Sequence, residues 1–276
     1  MNQQKAYECF RALHERPGAF IMPNAWDGAS AVLLKRAGFE ALGSSSIAIA
    51  FALGRQDGRH AVSREMAVSN AALLGELTGL PVNGDLEDGF GPDPEDCAST
   101  VRAAIEAGLA GVGIEDTTAD PDHPIHAFDA AVARVKAAAQ AANGRILLTG
   151  RTDNFINGRP DLDDTIRRLV AFAEVGADVL FAPGLPDLDA IRQVVRAVAP
   201  KPVNVVVGPA SGLVSLATLS EAGVRRVSVG GSLYRRAMAS LVDAANALGR
   251  GDIASAVKGG VASNEIAALL PGYSKS

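Results

Sequence analysis

Apolar and polar residues are arranged along this chain in two patterns that alternate many times. A short run rich in β-branched residues ends in a polar or glycine-containing turn, and a longer alanine-rich stretch with apolar residues at helical spacing follows it. The short runs predict eight strands, at Ala19–Pro23, Ala41–Ser45, Pro81–Leu86, Gly111–Glu115, Ile146–Gly150, Asp178–Ala182, Val203–Val207 and Arg226–Val229. The longer stretches predict helices at Asp27–Ala37, Ser63–Thr78, Pro94–Ala107, Phe128–Ala141, Leu162–Val175, Leu188–Val198 and Val214–Ala222.

Eight strands alternating with helices predict an α/β protein with a closed parallel (β/α)8 barrel. The alternative is an open doubly wound sheet, but polar residues follow many of the strands rather than one switch point. Helical spacing also marks the first residues of the chain and three stretches after the last strand, Ser232–Leu248, Asp252–Lys258 and Ser263–Leu269. With no linker or fixed repeat, residues 1–276 are predicted to form one barrel domain with an N-terminal helix and a C-terminal helical extension.

Composition excludes several classes of function. A net charge of −5 and the absence of a long basic run argue against a nucleic-acid partner. No segment approaches the roughly 18 uninterrupted apolar residues of a membrane span, and the N-terminus does not have the pattern of a signal peptide. Two cysteines, Cys9 and Cys97, do not make a disulfide framework. We therefore expect a cytoplasmic protein with neither nucleic acid nor membrane as a partner.

The most informative stretch covers residues 80–94, LPVNGDLEDGFGPDP. Asp85 and Glu87 are two residues apart at the end of an apolar run, so on an extended segment they point the same way, and Asp88 follows at once. Three neighbouring acids repel one another unless a cation or a hydrogen-bond network lies between them. Mg²⁺ suits such oxygen ligands because it takes one or two carboxylates and keeps several waters. The alternative is an acidic turn that is merely solvated.

In a (β/α)8 barrel the chemistry lies where strands end and the following loops begin. Four acids, one arginine and a run of serines occur at these positions, which predicts a site for a divalent cation and an anionic, carboxylate-bearing ligand. The arginine offers a planar fork that matches a carboxylate, and the serine turn offers hydroxyl and backbone N–H donors. The residues at the strand ends are Asn24, Trp26 and Asp27; Ser44, Ser45, Ser46 and Asp57; Asp85, Glu87 and Asp88; Glu115 and Asp116; and Arg151, Thr152, Asp153 and Asn154.

Several motifs resemble those of the isocitrate lyase/phosphoenolpyruvate mutase superfamily, and they occur in the same order over nearly the whole chain. They are PNAWDGASA at Pro23–Ala31, AGFEALGSSS at Ala37–Ser46, LGRQDG at Leu53–Gly58, PVNGDLEDGFG at Pro81–Gly91, GVGIED at Gly111–Asp116, GRTDNF at Gly150–Phe155, VGADVLF at Val175–Phe181 and LSEAGVRRVSVG at Leu219–Gly230. The resemblance implies a (β/α)8 barrel. It also implies a homo-oligomer, a tetramer or dimer, in which Ser232–Leu248 corresponds by position to a helix swapped between subunits.

The resemblance also implies a metal site for Mg²⁺, with Mn²⁺ as the alternative. Asp85 would be the direct ligand, whereas Asp57, Glu87 and Glu115 would hold the metal's waters. Arg151, Glu115 and Asp57 are the predicted catalytic residues.

The resemblance implies substrate-binding roles for a second set of residues. Ser45, with the backbone around Ser46 and Ile47, would hold a carboxylate or an enolate oxygen, and Arg151 would reach a second anionic group. Asn204, on the seventh predicted strand, would reach the substrate or point into the barrel filling. Trp26 at the rim would provide a stacking platform or a packing residue.

The loop after the fourth strand, DTTADPDHPIHAFD at Asp116–Asp129, departs from the family pattern. Carbon–carbon lyases of this superfamily carry a catalytic Cys there, and the phosphonopyruvate enzymes carry Pro-Lys, but this loop has neither Cys nor Lys. Gly43 and Pro183 also differ from the residues usual in relatives. His123 and His126 are the titratable candidates for a proton donor, the alternatives being water and solvated loop histidines. The length of the loop predicts a lid that excludes water from the site.

These observations predict a Mg²⁺-dependent lyase or decarboxylase that acts on a small 2-oxo or 2-hydroxy dicarboxylate through an enolate, as oxaloacetate decarboxylation would require. The alternatives are phosphonomutase or phosphonopyruvate hydrolase chemistry on a P–C bond, and a barrel that binds a carboxylate without catalysis. Retention of four acids and Arg151 favours the enzyme, whereas the missing loop motif and Pro183 favour the binding protein.

Overall fold

The computed structural model describes residues 1–58, 60–212 and 215–270, and its central element is a sheet of eight parallel strands. Each strand pairs with the next along the chain from β2 to β8, and β8 pairs with β1. The sheet closes because the Gly43 N–H donates to the Pro23 carbonyl at 2.9 Å and the Ala25 N–H donates to the Gly43 carbonyl at 2.9 Å. The (β/α)8 barrel is therefore confirmed. The strands are β1 Phe20–Ile21, β2 Leu42–Gly43, β3 Val82–Asp85, β4 Gly111–Glu115, β5 Leu147–Arg151, β6 Val179–Phe181, β7 Val203–Val206 and β8 Arg226–Ser228.

Helices surround the barrel and begin at the capping residues that the sequence offers. Asp27, Ser63, Asp161 and Asp187 each accept a hydrogen bond from the backbone N–H three residues ahead, which satisfies a donor at the helix start. The helices are α1 Gln3–Glu15, α2 Gly28–Arg36, α3 Ser46–Ala52, α4 Arg64–Thr78, α5 Pro94–Glu106, α6 Phe128–Ala142, α7 Leu162–Glu174, α8 Leu188–Val198, α9 Leu216–Glu221, α10 Ser232–Gly249, α11 Ile253–Val257 and α12 Ser263–Leu269.

Most helix bounds agree with the prediction, and α3 is the main addition. Its sequence SIAIAFA carries apolar residues almost throughout and follows the serine run, so no helical period marked it. Ser45 caps it through a hydrogen bond from the Ala48 N–H. The start predicted for α9, at Val214, lies outside the described residues.

The two ends of the barrel are closed differently. Helix α1 covers the N-terminal end, where Tyr7, Phe10 and Leu13 pack against Phe20 and Leu147 in a separate apolar cluster. The main core lies between the strands and the outer helices. The C-terminal ends of the strands remain open between the loops, so the polar strand-end residues face a cavity at this mouth.

Helix α10 leads away from the barrel and packs mainly against α11. Tyr234 and Ala247 are its buried residues, whereas Leu241, Val242 and Leu248 are more than half exposed. The extra C-terminal helices are thus confirmed, and the exchange of α10 between subunits stays a prediction. Among the described residues, no helix combines the length and apolar character needed to cross a membrane.

Candidate active site

The mouth of the barrel holds a cavity of about 520 Å³, here called the acidic cavity. It lies over the ends of β3, β4 and β5, beside the loop that follows α3. Asp85, at the end of β3, lies next to this lining and contacts Arg151. The structure thus brings together the four predicted acids and the predicted arginine. The ionisable side chains that line the cavity are Asp57, His60, Glu87, Asp88, Glu115, Asp120, Arg151 and Asp153.

Arg151 is the cation that the carboxylates of this cavity face. Its Nη1 lies 2.9 Å from Glu115 Oε2 and 3.5 Å from Asp85 Oδ1. Its Nε and Nη2 donate to the two oxygens of Asp153 at 2.6 and 2.7 Å, which is a bidentate pair. The ring of Phe181 packs 5.3 Å from the guanidinium carbon. Arg151 is therefore fixed at the end of β5, and Nη1 is the nitrogen that a substrate carboxylate would have to share with Glu115 and Asp85.

Three acids at the cavity, Glu87, Glu115 and Asp57, have a raised pKa and so hold protons more tightly than free carboxyls. Burial, followed by the charges of Asp85, Asp57 and Asp88, raises the pKa of Glu87 to about 8. Burial raises the pKa of Glu115 well above its ordinary value although Arg151 opposes the shift. Asp57 stands at the rim, where desolvation and the charge of Asp85 raise its pKa. Mutual repulsion of this kind favours a bound cation, because a cation lowers the cost of ionising all three acids.

The donor set fits Mg²⁺ with a largely hydrated shell. Within the described residues, no three Asp, Glu, His or Cys side chains are arranged to ligate a metal directly. One direct carboxylate, with other carboxylates bonded to the waters, is a common way for proteins to bind Mg²⁺. Asp85, Asp57, Glu87 and Glu115 are the residues that would hold the metal and its waters.

The serine run between β2 and α3 positions the acids. The Ser44 hydroxyl accepts a hydrogen bond from the Asp85 N–H at 2.8 Å, and the Ser46 N–H donates to Asp85 Oδ2 at 2.9 Å. The Ser46 hydroxyl lowers the pKa of Asp57, against the larger effect of burial. The Ser45 hydroxyl caps α3, while the Ile47 N–H has no partner in the described part of the chain. Because the Ser45 hydroxyl accepts in this cap, its own O–H can still donate, so the Ile47 N–H and the Ser45 hydroxyl are the donors of this segment left for a substrate oxygen.

The turn after β3 places Glu87 in a conformation that few side-chain-bearing residues adopt. Its φ is +48°, in the left-handed region. Two backbone bonds hold it there, from the Glu115 N–H to the Glu87 carbonyl and from the Gly89 N–H to the Leu86 carbonyl, both 3.0 Å. Gly89, at φ +95°, has no space for a side chain, since a Cβ would lie 2.8 Å from Cys97 Sγ. Such strain is typical of functional turns.

A buried network behind the cavity fixes the end of β5. Asp116 accepts hydrogen bonds from the Thr152 hydroxyl at 2.7 Å and from the Asp153 N–H at 2.9 Å. Arg168 Nη1, on α7, lies 3.1 Å from Asp116 Oδ2 and also donates to the His126 carbonyl at 3.0 Å. Asp116 therefore positions the residues beside Arg151 and the base of the following loop.

That loop, Asp116–Asp129, covers one side of the acidic cavity as a small flap. Thr117 forms an antiparallel bridge with Ile125, and the Thr117 hydroxyl donates to Glu115 Oε1 at 2.7 Å. His123 is exposed and pairs with Asp120, and His126 is half-buried behind the flap. Neither histidine lines the cavity. Their role as proton donors would require the flap to move.

The structure adds His60 and Thr117 to the site and shows the contact made by Asp153, one of the predicted strand-end residues. His60 is not among the residues predicted from the sequence; its Nε2 lies 2.7 Å from Asp88 Oδ1, and its backbone opposes the rise in the pKa of Glu87. Its position three residues after Asp57 was the available signal. Asp153 follows the strand end that was identified, but its bidentate contact with Arg151 depends on side-chain directions that spacing does not give.

Two predicted substrate-binding residues lie away from the acidic cavity. The ring of Trp26 packs edge-on against Tyr234 at 5.4 Å between ring centres, and Trp26 lines neither of the two larger cavities. Asn204 is buried inside the barrel, where it donates to the Ser228 hydroxyl at 3.1 Å and accepts from Arg226 Nε at 2.9 Å. The structure does not bring these two residues together with the acids.

A (β/α)8 barrel with clustered acids and an arginine at its C-terminal mouth has the architecture of a barrel enzyme. Residues 10–249 match the family model described as phosphoenolpyruvate phosphomutase. The chain belongs to this family, within the isocitrate lyase/phosphoenolpyruvate mutase superfamily of lyases and mutases. Membership in that superfamily supports an enzyme.

Two relatives illustrate the range of similarity. An uncharacterized protein of Mycobacterium tuberculosis is 33% identical over 245 residues, which cover 88% of this chain and 90% of that protein. The 2-methylisocitrate lyase of Bacillus subtilis is 31% identical over 198 residues, which cover 70% of this chain and 64% of the relative.

Solved structures agree over the whole barrel. A candidate lyase/mutase of Burkholderia cenocepacia J2315 is 48% identical, with a TM-score of 0.91 and coverage of 96% of this chain and 95% of that one. A 2,3-dimethylmalate lyase is 26% identical, with a TM-score of 0.86 and coverage of 96% and 94%.

Proposed function

We propose that this chain is a Mg²⁺-dependent lyase or decarboxylase of a small 2-oxo or 2-hydroxy dicarboxylate, acting through an enolate in the manner of oxaloacetate decarboxylation. Mn²⁺ is the alternative metal. The observation that carries the proposal is the acidic cavity, in which Asp57, Asp85, Glu87 and Glu115 surround one arginine. A scaffold without chemistry gives no physical reason to keep four acids together in one partly buried site.

The lid loop supports decarboxylation over reactions that need a protein acid at this place. Residues Asp116–Asp129 contain neither Cys nor Lys, and the side chains of Thr117, Thr118 and Asp120 face the cavity. Decarboxylation of a 2-oxo dicarboxylate breaks one C–C bond, releases CO₂ and leaves an enolate that takes one proton. Water can supply that proton, so no dedicated acid is needed.

The bound metal would act as a Lewis acid toward the 2-oxo group. Arg151 Nη1 would bind a substrate carboxylate, with Asp153 holding the guanidinium in place. The Ile47 N–H would donate to a substrate oxygen. Thr117, already bonded to Glu115, would keep the flap over the cavity and reduce access of water.

The test is a substrate panel of oxaloacetate, methylisocitrate, 2,3-dimethylmalate and phosphonopyruvate, with and without Mg²⁺ and after subtraction of the rate with metal alone. Products are identified by NMR. We expect pyruvate and CO₂ from oxaloacetate at a rate above that of the other acids. Faster cleavage of methylisocitrate or phosphonopyruvate would replace the proposal with C–C lyase or P–C chemistry. No turnover of any acid, together with binding of oxalate, would indicate a barrel that binds without catalysis.

We also propose that the functional unit is a homo-oligomer in which a second copy covers α10. The supporting observation is the exposed apolar row Leu241, Val242 and Leu248 on a helix that packs little against its own barrel. Large exposed apolar patches commonly mark contact surfaces. Light scattering during gel filtration should give a dimer or tetramer, and Leu241→Glu with Val242→Glu should yield a smaller species. A monomeric wild type would contradict this.

A further inference from the structure

Asp57 differs from the acids at the strand ends in what holds it in place. Asp85 and Glu115 end β3 and β4, whose hydrogen bonds to neighbouring strands fix their backbones. Asp57 lies instead between α3 and α4, where the described residues 53–58 and 60–63 form neither helix nor strand. A site built on a loop is less precise than one built on strands unless neighbouring contacts lock it. This segment therefore needs a contact that ties it to the rest of the mouth.

The side chain of His60 reaches from this segment to the turn after β3. Its Nε2 lies 2.7 Å from Asp88 Oδ1, and its ring centre lies 5.6 Å from that of Phe90. Asp88 Oδ1 also accepts a hydrogen bond from the Phe90 N–H at 2.9 Å. One carboxylate oxygen thus joins the segment that carries Asp57 to the turn that carries Glu87.

Asp88 is itself held from behind. It is only 5% exposed, and its carbonyl accepts from Arg134 Nη2 at 2.6 Å and from Cys97 Sγ at 3.2 Å. Arg134, on α6, also donates to the carbonyls of Gly91 and Pro92, both at 2.8 Å, and its Nη2 lies 3.7 Å from Asp88 Oδ2. The carboxylate of Asp88 is therefore engaged by protein groups, although the residue lines the acidic cavity.

Backbone strain is concentrated around the same carboxylate. In the described part of the chain, four non-glycine residues have a positive φ, and one of them, Asn143, ends α6 in the left-handed conformation usual after a helix. The other three lie around Asp88, with φ of +55° at His60, +48° at Glu87 and +62° at Phe90. Strained residues persist where the surrounding contacts over-determine them, and they cluster at functional sites. The contacts of Asp88 are of this kind.

We infer that Asp88 is a positioning residue of the metal site rather than a ligand. Through its contact with His60 it holds Asp57, and through the turn it holds Glu87, where each would bond to a water of Mg²⁺. This inference rests on the proposed function. Because His60 and Asp88 act through one contact, loss of either should weaken Mg²⁺ binding, and loss of both should cost little more than loss of Asp88 alone.

The experiment compares His60→Met with His60→Gln, two side chains of similar length of which only Gln keeps a donor for Asp88. Calorimetric titration should give a Mg²⁺ affinity about tenfold lower in the Met variant, near the lower end of the range for outer residues of metal sites. The Gln variant should recover most of it. In the metal-free proteins, hydrogen exchange of the peptide that carries Asp57 should be faster in the Met variant and return toward wild type in the Gln variant. Gln56→Met, at an exposed position in the same segment, is the matched control and should change neither quantity.

Asp88→Ala, alone and combined with His60→Met, completes a double-mutant cycle. We expect the double variant to bind Mg²⁺ about as weakly as Asp88→Ala alone. Losses that add in the double variant would overturn the inference, because Asp88 would then act on the metal independently of His60. Wild-type Mg²⁺ affinity in His60→Met would overturn it as well.

The readouts separate failure of this inference from failure of the proposed function. If wild type binds Mg²⁺ but turns over none of the acids, the proposed function fails and the Mg²⁺ affinities still decide the role of Asp88. If wild type binds no Mg²⁺, the metal dependence fails, and hydrogen exchange decides whether the contact holds Asp57. Faster exchange in His60→Met with recovery in His60→Gln supports the inference, and equal exchange overturns it. The two His60 variants keep the test valid if Asp88→Ala does not fold.

Discussion

Two arginines lie at opposite ends of the same barrel and have opposite surroundings. Arg151, at the open mouth, faces the carboxylates of Asp85, Glu115 and Asp153. Arg226, at the first position of β8 near α1, is fully buried, and no carboxylate of the described residues forms an ion pair with it. The mouth thus has more acidic groups than one arginine can balance, and the closed end has an unbalanced positive charge.

At the closed end, neutral groups compensate the charge of Arg226. Arg226 donates to Asn204 Oδ1 at 2.9 Å and to the Thr149 hydroxyl at 2.9 Å, and its guanidinium lies over the ring of Phe10. Burial lowers the pKa of Arg226 to about 9. His14 lies beside it with a pKa lowered to about 3, by burial first and then by Arg226, so this imidazole is neutral at pH 7. Every strong polar contact is internal, which is the mark of a structural network.

At the mouth, by contrast, the raised pKa values of Glu87 and Glu115 show that the protein alone does not stabilise the ionised acids. A bound cation would stabilise the ionised forms of these acids. The two ends of the barrel should therefore respond differently to substitution. Loss of Arg226 should reduce stability without changing the affinity for Mg²⁺. Loss of an acid at the mouth should weaken Mg²⁺ binding without unfolding the barrel.

The largest expected effect is on stability. Arg226→Ala should lower the free energy of unfolding by about 3 kcal/mol or more, because it opens a cavity and leaves Asn204 and Thr149 without their partner. Urea unfolding measures this loss, and calorimetric titration of Mg²⁺ should give the wild-type affinity. Arg226→Met, which fills more of the space, is the control and should lose less. A weakened Mg²⁺ affinity at unchanged stability would reverse the assignment.

Asp85→Ala should have the opposite effect, a loss of Mg²⁺-dependent activity with little change in stability. We expect activity with Mg²⁺ to fall by more than roughly a hundredfold, since loss of outer residues alone typically costs 10–100-fold in metal affinity or activity. The circular dichroism and the melting temperature should stay close to those of wild type because Asp85 is at the open mouth. Asp163→Ala, at an exposed position on α7, is the matched control. Wild-type Mg²⁺ affinity in Asp85→Ala would exclude it as the direct ligand.

Arg151→Lys tests the fork at the mouth. An ammonium cannot reproduce the bidentate contact with Asp153 and at the same time reach a substrate carboxylate. We expect substrate binding to weaken by about 2 kcal/mol, or roughly thirtyfold in KM, the scale of a lost charged hydrogen bond. Arg167→Lys, at an exposed position on α7, is the control. Unchanged KM and kcat in Arg151→Lys would remove this residue from the site.

The two regions also differ in how far they could be predicted: the residues of the mouth could be grouped from the sequence, and those of the closed end could not. The acids and Arg151 follow strands, and parallel strands end at one mouth, so residue type and position were enough to group them. Arg226, Asn204 and His14 meet only after the barrel closes and α1 covers its end. Sequence spacing contains no information on that closure.

The same limit applies within the mouth. Asp57 and Glu87 were identified from a motif, but His60 belongs to the loop after α3, a helix that had no recognisable period. The cavity over the ends of β6, β7 and β8 could not be predicted either, because its walls come from three strand ends and from side-chain directions. What the sequence did provide there was negative: Ala182, Pro183 and Gly184 offer no ionisable group.

Over a single pH unit, the smallest expected effect concerns the pH dependence of stability, and it sharpens the electrostatic side of the comparison. The pKa of Glu87 is about 8 in the fold, and an unfolded glutamate titrates near 4.5, so between these values the native protein holds a proton that the unfolded chain has lost. Stability of the metal-free protein should therefore fall as pH rises from about 5 to 8, by at most about 1.4 kcal/mol for each pH unit. Mg²⁺ at pH 8 should restore the stability by favouring the carboxylate.

Glu87→Gln should reduce the loss of stability with pH and weaken the effect of Mg²⁺, while Glu76→Gln, at an exposed position on α4, should do neither. Urea unfolding at each pH measures both, and an equal slope in Glu87→Gln and wild type would show that the mouth acids are balanced without a cation.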